Sequence, residues 1–315
     1  MLKIESNIFL SKWEVICIKK ECEYVKYFPE DLKREYDFYT SHNPDIEELK
    51  HPLVNLSDVF RAYFILIHFF TDASSDEESE KMLIGIRSTE LLASALSRQI
   101  VSFAGKKKYT EPLDICATLF FGMVKNHPFS DGNKRTALLI LLYQLQLFGY
   151  FPRSHKKDFE RLVLSVAENS LDKKYANYYS KFKKKEDWKI LVISKELKRL
   201  VSKKDNCYHT NPTIKEFCAA LERQGVSCTL DNSKVKLSRT PASNGWKFVR
   251  PKEYNYSIPF RGWTRTVGAG TARDVLNKLG LYDQIPSYRY FFNGAEPMYN
   301  LVEDFKEPLR RLKDE

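Results

Sequence analysis

The strongest constraint on the fold lies in residues 125–145, KNHPFSDGNKRTALLILLYQL, where a crowded polar loop runs straight into an apolar segment. Residues 134–150 are apolar nearly all round, which is typical of a helix buried in a core. Gly149 marks the end of this helix. Residues 127–133 are predicted to form the turn before it. The sequence therefore predicts a core helix with a polar loop at its N-terminal end.

Apolar residues recur at three- and four-residue steps elsewhere in the first half of the chain, which predicts further helices. These helices cover residues 54–70, 88–100, 111–126 and 156–171. Residues 101–110 are strand-like, but Gly105 and three lysines interrupt them, so a short hairpin or flap is expected. The first half is accordingly predicted to be mainly α.

The second half has a different texture, in which helical and alternating patterns are mixed. The predicted elements are a helix at 212–225, a hairpin at 226–239 around Asp231-Asn232, strands near 245–251 and 254–260, and a helix at 268–281. A lysine-rich connector, residues 173–189, separates the two halves. We expect three parts: an N-terminal helical extension (1–50), a helical domain (51–185) and a smaller basic α+β domain (186–315).

Length and cysteine content narrow the class of protein. A chain of 315 residues is long enough for two domains. No apolar run approaches the roughly 18 residues of a membrane span, and no secretory signal is apparent, so a cytoplasmic protein without a membrane partner is expected. The six cysteines include no CxxC pair. They are predicted to be reduced thiols, with a zinc site as the alternative.

The net charge of +10 is unevenly distributed along the chain. Residues 186–315 hold 23 Lys/Arg against 16 Asp/Glu. Such an excess suits nucleic acid or an acidic protein partner, but a solvated basic face explains it equally well. Aromatic and arginine residues alternate here, which suits either single-strand binding or an ordinary sheet core. They are Trp246, Phe248, Arg250, Tyr254, Tyr256, Arg261, Trp263 and Arg265.

The polar loop has the composition of an anion site. The first turn of a helix leaves backbone N–H groups without partners, and the helix dipole adds partial positive charge there. Gly132 allows the backbone to approach a ligand closely, and Lys134 and Arg135 add two full charges. The sequence therefore predicts a phosphate cradle at the start of the core helix.

Two further residues indicate what the cradle is for. Asp131 is out of place beside a phosphate unless a magnesium ion bridges the two. His127 lies just upstream and can act as a base near neutral pH. A base, a metal-binding acid and a phosphate cradle together predict phosphoryl or nucleotidyl transfer to a hydroxyl group.

The segment HPFSDGNKR resembles the signature of the Fic/Doc (Fido) superfamily, His-x-Phe-x-(Asp/Glu)-(Gly/Ala)-Asn-(Gly/Lys)-Arg, at every fixed position. The upstream GIRSTELLASALSRQ, residues 85–99, also resembles a helix of Doc-like proteins. The resemblance covers about residues 54–170. It implies a Fido-type helical bundle with a short β-hairpin flap, beside the smaller C-terminal α+β domain.

The resemblance also implies an activity, in which ATP and Mg²⁺ serve a transferase that modifies a hydroxyl side chain of a target protein. His127 would deprotonate that hydroxyl, Asp131 would hold magnesium, and Phe129 would anchor the loop in the core. The phosphates would be bound by Gly132, Asn133, Lys134 and Arg135. The flap would dock the target, with Lys106, Lys107 and Lys108 as candidate contacts.

Two departures from AMP-transferring members favour the Doc-like (death-on-curing) branch, whose members resemble kinases that move the γ-phosphate. Lys134 stands where those members usually have glycine, and Leu138 where they carry a second arginine. Transfer of phosphate and transfer of AMP both stay open. A catalytically weak or inactive scaffold, whose basic C-terminal domain binds nucleic acid or a protein, is the alternative.

Members of this family are commonly silenced by a helix carrying (Ser/Thr)-x-x-x-Glu-(Gly/Asn). No complete copy of that pattern is present; the nearest segment, Ser74 to Ser79, fails at its last position. Inhibition in cis is therefore not expected. A separate antitoxin-like inhibitor that acts in trans and the absence of any inhibitor both stay open.

Overall fold

A computed structural model describes residues 25–72, 82–203, 212–240, 253–281 and 297–313. The chain forms two compact units, which we describe separately. The helical unit comprises Cys22–Asp205 and Glu296–Glu315, and the α+β unit comprises Met1–Glu21 and Asn206–Ala295. The fold is mainly helical with small antiparallel sheets, as the sequence predicted.

The helical unit contains most of the α-helices. They are α1 (Glu30–His42), α2 (Leu56–Asp72), α3 (Thr89–Ser97), α4 (Pro112–Asn126), α5 (Asn133–Leu147), α6 (Lys156–Ala167), α7 (Leu171–Lys174), α8 (Ala176–Phe182), α9 (Trp188–Leu200), α12 (Pro297–Asp304) and α13 (Lys306–Arg311). Two short antiparallel pairs accompany them: β1 (Ser102–Phe103) with β2 (Lys106–Lys107), and β3 (Phe151–Pro152) with β4 (Val201–Ser202).

Helix α5 lies at the centre of this unit. Its side chains from Arg135 to Leu145 are all buried, and it contacts α2, α4, α6 and α12. A helix that is apolar on every side needs neighbours on every side, and these four helices provide them. The core therefore surrounds the helix that follows the polar loop.

The helical unit is larger than the range 51–185 expected from the sequence. Helix α9 packs on α4, with Ile193 and Leu197 fully buried. The C-terminal helix α12 contacts both α2 and α5, with Met298 and Val302 fully buried. The apolar stripes of these helices join the core of the helical unit, so both belong to it and not to the α+β unit.

The described part of the N-terminal extension also belongs to this core. Helix α1 packs on α2, and Leu32 is buried. The ring of Tyr36 meets that of Phe64 edge-on, with centroids 5.5 Å apart. Residues 1–24 lie outside the described residues.

The α+β unit has α10 (Ile214–Arg223) before and α11 (Ala269–Lys278) after a three-stranded antiparallel sheet. The strands are β5 (Ser227–Asp231), β6 (Lys234–Arg239) and β7 (Tyr254–Pro259), in that order. Alternate residues such as Val235, Leu237 and Ile258 are buried with the two helices. The predicted hairpin at Asp231-Asn232 is the β5–β6 turn, while the strand expected near 245–251 lies outside the described residues.

No helix in the described ranges is long and apolar enough to cross a membrane.

Candidate functional site

The candidate site is the loop between α4 and α5, and its two ends have left-handed backbone conformations. His127 ends α4 with φ +45°, and Gly132 precedes α5 with φ +77°. These two positions reverse the chain within a few residues, so that α4 and α5 lie side by side. The turn predicted at 127–133 is therefore present, and it brings His127 and the start of α5 into one loop.

An extended segment, residues 82–88, holds the loop from one side. The backbone N–H of Ser130 donates to the carbonyl of Gly85 (2.9 Å), and that of Arg87 donates to the carbonyl of Pro128 (2.8 Å). Ile86 and Phe129 form an antiparallel bridge between these contacts. The sequence did not predict this pairing. The apolar residues Leu83, Ile84 and Ile86 were the signal that could have indicated an extended segment.

Tyr63 on α2 connects the segment to the loop, a role that the sequence did not predict. Its ring stacks on Phe129, with centroids 4.1 Å apart and planes 11° apart. Its hydroxyl donates to the carbonyl of Leu83 (3.1 Å) and accepts from the N–H of Gly85 (3.1 Å). Burial raises the pKa of this hydroxyl above its usual range, so it remains a donor. Phe129 is thus a fully buried anchor of the loop.

Asn133 closes the loop from its other end. Its Oδ1 accepts from the N–H of Phe129 (2.9 Å), and its Nδ2 donates to the carbonyl of the same residue (2.9 Å). Both backbone groups of a buried residue are satisfied in this way, as burial requires. The side chain of Asn133 therefore shapes the loop in which an anion would be bound.

Both the backbone conformation at position 132 and the neighbouring side chain favour glycine there. A Cβ atom added there would lie 2.2 Å from Cε of Met82, a buried side chain of the neighbouring segment. A side chain at this position would push Met82 away, in addition to the strain of a positive φ.

Asp131 is half-buried, and both of its carboxylate oxygens accept backbone N–H groups. Oδ2 accepts from Leu83 (3.1 Å), and Oδ1 accepts from Gly132. Among the described residues, no three His, Cys, Asp or Glu side chains cluster as a metal site would require. Magnesium commonly takes one or two carboxylates and completes its shell with substrate phosphates and water. Asp131 beside a helix N-terminus fits that donor set.

Arg135 is only 4% exposed. Its Nε donates to the carbonyl of Leu309 (2.9 Å) and its Nη2 to that of Arg310 (3.5 Å), both on α13. The guanidinium also lies over the ring of Phe70, 4.6 Å from the centroid. The phosphate role expected for Arg135 would require the guanidinium to exchange these carbonyls for phosphate oxygens. Lys134, beside it, is half-buried.

The side chain of His127 is exposed, whereas those of Phe129, Asn133 and Arg135 are buried. Within the described residues its imidazole makes no hydrogen bond, although its backbone is strained. The residue after a helix often has a left-handed conformation. It is usually glycine, which adopts that conformation without steric cost. A histidine there costs about 1–2 kcal/mol. Strain that a chain retains at a loop is a reason to expect a function for the side chain.

The predicted flap is the β1–β2 hairpin, whose turn is formed by Ala104 and Gly105 with φ of +49° and +74°. Phe103 is 86% exposed, and Lys106 and Lys107 are exposed beside it. Lys108 differs from them, because its Nζ forms an ion pair with Asp187 at 2.9 Å. Of the three candidate docking lysines, Lys108 is therefore held at the base of the hairpin.

In a comparison with known protein families, residues 53–145 match the model described as the Fic/DOC family. The matched range begins just before α2, contains the entire loop and ends within α5. It supports placing this part of the chain in the Fic/Fido superfamily. No curated protein and no solved structure matches the chain.

Proposed function

We propose that the helical unit transfers a phosphate or AMP from ATP to a hydroxyl side chain of a target protein, with His127 as general base. One observation carries the proposal. An exposed histidine in a strained conformation lies at one end of a loop whose other end leads into the first turn of a buried helix. The family match makes a protein-modifying transferase the natural reading of that arrangement.

The nucleotide phosphates would bind at the start of α5, where the first turn of the helix has backbone N–H groups. Gly132, Asn133 and Lys134 would line this phosphate site. When bound, a magnesium ion at Asp131 would neutralise phosphate charge. The imidazole of His127 would take the proton of the target hydroxyl, whose oxygen then bonds to phosphorus. With γ-transfer, the bond to the β–γ bridging oxygen breaks and ADP leaves.

We favour transfer of the γ-phosphate. Lys134 at the helix N-terminus fills the space that a glycine would leave for a pyrophosphate. Leu138, one turn further along, is fully buried in the core, and an arginine there would place a charge among apolar side chains. A second arginine clamp at this position is thus not compatible with the packing of α5.

The proposal is tested by incubating the full chain with lysate proteins, magnesium and ATP labelled at either the α or the γ position. We expect protein to be labelled from γ-labelled ATP only. His127→Ala should abolish labelling, and His155→Ala, which changes an exposed histidine at the start of α6, should not. Label from the α position alone would instead make the chain an AMP transferase.

A non-catalytic scaffold is the second candidate, and the engagement of Arg135 by α13 favours it. Titration of the wild-type chain with Mg·ATP separates the two candidates. Saturable binding supports the transferase. An absence of binding would support the scaffold.

A further inference from the structure

The positive charge of the second half is concentrated in the α+β unit. Residues 206–295 hold 13 Lys/Arg against 6 Asp/Glu, a net +7, whereas the C-terminal segment and α9 lie in the other unit. An excess of this size within 90 residues gives an electrostatic footprint that attracts polyanions.

Residues 260–266, FRGWTRT, form a loop between β7 and α11, and hydrogen bonds fix it on two sides. The carbonyl of Arg265 accepts from the N–H of Ile214 (2.8 Å), and that of Trp263 accepts from the N–H of Lys215 (3.2 Å). The N–H of Phe260 donates to the carbonyl of Ser233 in the β5–β6 turn (2.7 Å). The loop thus lies between the start of α10 and the turn of the hairpin.

Trp263 is 43% exposed in this loop. Phe260 supports it from one side, with ring centroids 5.0 Å apart and planes at 68°. The backbone hydrogen bonds hold the position of the indole, and one part of its surface remains in solvent. Tyr254 and Tyr256, in contrast, pack against the sheet core. Of the aromatic residues that the sequence singled out here, Trp263 is the one that the described structure presents to a ligand.

Four cations lie in the loop or on the elements that its backbone contacts. Lys215 lies in the first turn of α10, Lys234 begins β6 opposite Pro259, and Arg261 and Arg265 flank Trp263 in the loop. All four side chains are exposed, and within the described residues none of them makes a hydrogen bond or an ion pair. We call these four residues and Trp263 the Trp263 patch.

The acidic residues nearest to the patch are occupied elsewhere. The carboxylate of Glu216 turns back to cap α10, where it accepts from the N–H and the hydroxyl of Thr213. Asp231 pairs with Lys236 at 2.5 Å. Within the described residues, neither carboxylate forms an ion pair with a patch cation, so the five residues of the patch keep a net positive charge.

We propose that the Trp263 patch binds single-stranded nucleic acid, with an unpaired base stacked on Trp263 and the flanking phosphates on the four cations. An aromatic ring between cations is the arrangement by which proteins hold single strands without reading their sequence. A duplex keeps its bases stacked on each other and has none to offer the indole. An acidic polypeptide would satisfy the cations but would leave Trp263 unused. The proposal is independent of the chemistry at His127.

The test measures fluorescence anisotropy of labelled 16-nucleotide oligo(U) and oligo(dT), the corresponding RNA duplex, and poly-glutamate, each titrated with the full chain. We expect both single strands to bind more tightly than the duplex and poly-glutamate. The RNA and DNA arms then show which sugar the patch prefers. Tighter binding of poly-glutamate or of the duplex would overturn the proposal, as would the absence of binding to any single strand.

Variants locate the site. Trp263→Ala should weaken single-strand binding by about 5- to 150-fold, the effect of losing one stacked base, and Trp263→Phe should restore most of it. Arg261→Ala with Arg265→Ala should lower the slope of log K against log salt by about 1.4, because two phosphate contacts are lost. Phe103→Ala, which removes an exposed ring of the other unit, should change affinity less than twofold. Unchanged binding by Trp263→Ala would rule out the patch.

Discussion

The loops at 127–133 and 260–266 have the same length and one glycine each, but they are opposite in construction. In the first, the polar side chains Asp131 and Asn133 bond to the backbone of the loop and its neighbours. In the second, the cations Arg261 and Arg265 bond to no described residue, and only backbone groups hold the loop. The first loop uses its polar residues to maintain a shape around one exposed histidine. The second loop leaves its polar side chains exposed to solvent. Substitutions should therefore affect stability in the first loop and binding in the second.

The largest effect is expected at His127, where function and stability should change in opposite directions. His127→Gly removes the general base, which typically costs about 10²–10⁴ in rate. The same substitution relieves a positive φ and should raise the free energy of unfolding by about 1 kcal/mol. Turnover and urea unfolding of the same preparation measure both quantities.

His155→Ala is the control for both measurements, because His155 is exposed and has φ −62°. It should change neither of them. A His127→Gly variant that is less stable than the wild type would show that the imidazole supports the loop, and the comparison of the two loops would then lose its clearest contrast.

The next largest effect is expected at Asn133, where stability is lost. Asn133→Ala leaves the N–H and the carbonyl of buried Phe129 without partners, and each unsatisfied group costs about 1–3 kcal/mol. We expect a loss of about 2–4 kcal/mol in urea unfolding. Asn126→Ala is the matched control, because its Nδ2 donates a single hydrogen bond to the carbonyl of Leu91 at an exposed position. Equal losses in the two variants would contradict the role of Asn133 in closing the loop.

The sequence predicted the local features of the site and missed the distant ones. Helical periodicity identified α2, α3, α4 and α6, and the nearly continuous apolar run identified α5 as a helix buried on every side. The motif placed His127 and Asp131 beside a helix N-terminus. The pairing of residues 82–88 with the loop was not predicted, because neither partner has a strand pattern long enough to recognise. The contact of Arg135 with Leu309 joins residues 174 positions apart, and no local pattern encodes a contact of that kind.

Arg135 tests whether the motif contributes to stability through that distant contact. Arg135→Met removes the hydrogen bonds to the carbonyls of Leu309 and Arg310, and hydrogen bonds from a charged group contribute about 1.5–3 kcal/mol. We expect a loss of about 2 kcal/mol and faster proteolysis within residues 297–313. Lys156→Met, which removes an exposed cation 5.7 Å from the ring of Phe305, should do neither. A raised KM for ATP with unchanged stability would instead assign Arg135 to the nucleotide.

The smallest effect on stability is expected in the second loop. Arg261→Ala with Arg265→Ala removes side chains that contact no described residue, while the backbone bonds of Arg265 to Gly262 and Ile214 remain. Surface changes of this kind usually fall within about 0.5 kcal/mol, and the loss of two like charges reduces repulsion within the unit. Hydrogen exchange of the amides of α10 should therefore be unchanged or slightly slower. Faster exchange there would mean that the arginine side chains hold the loop in place. The second loop would then resemble the first, and its cations would have a structural role.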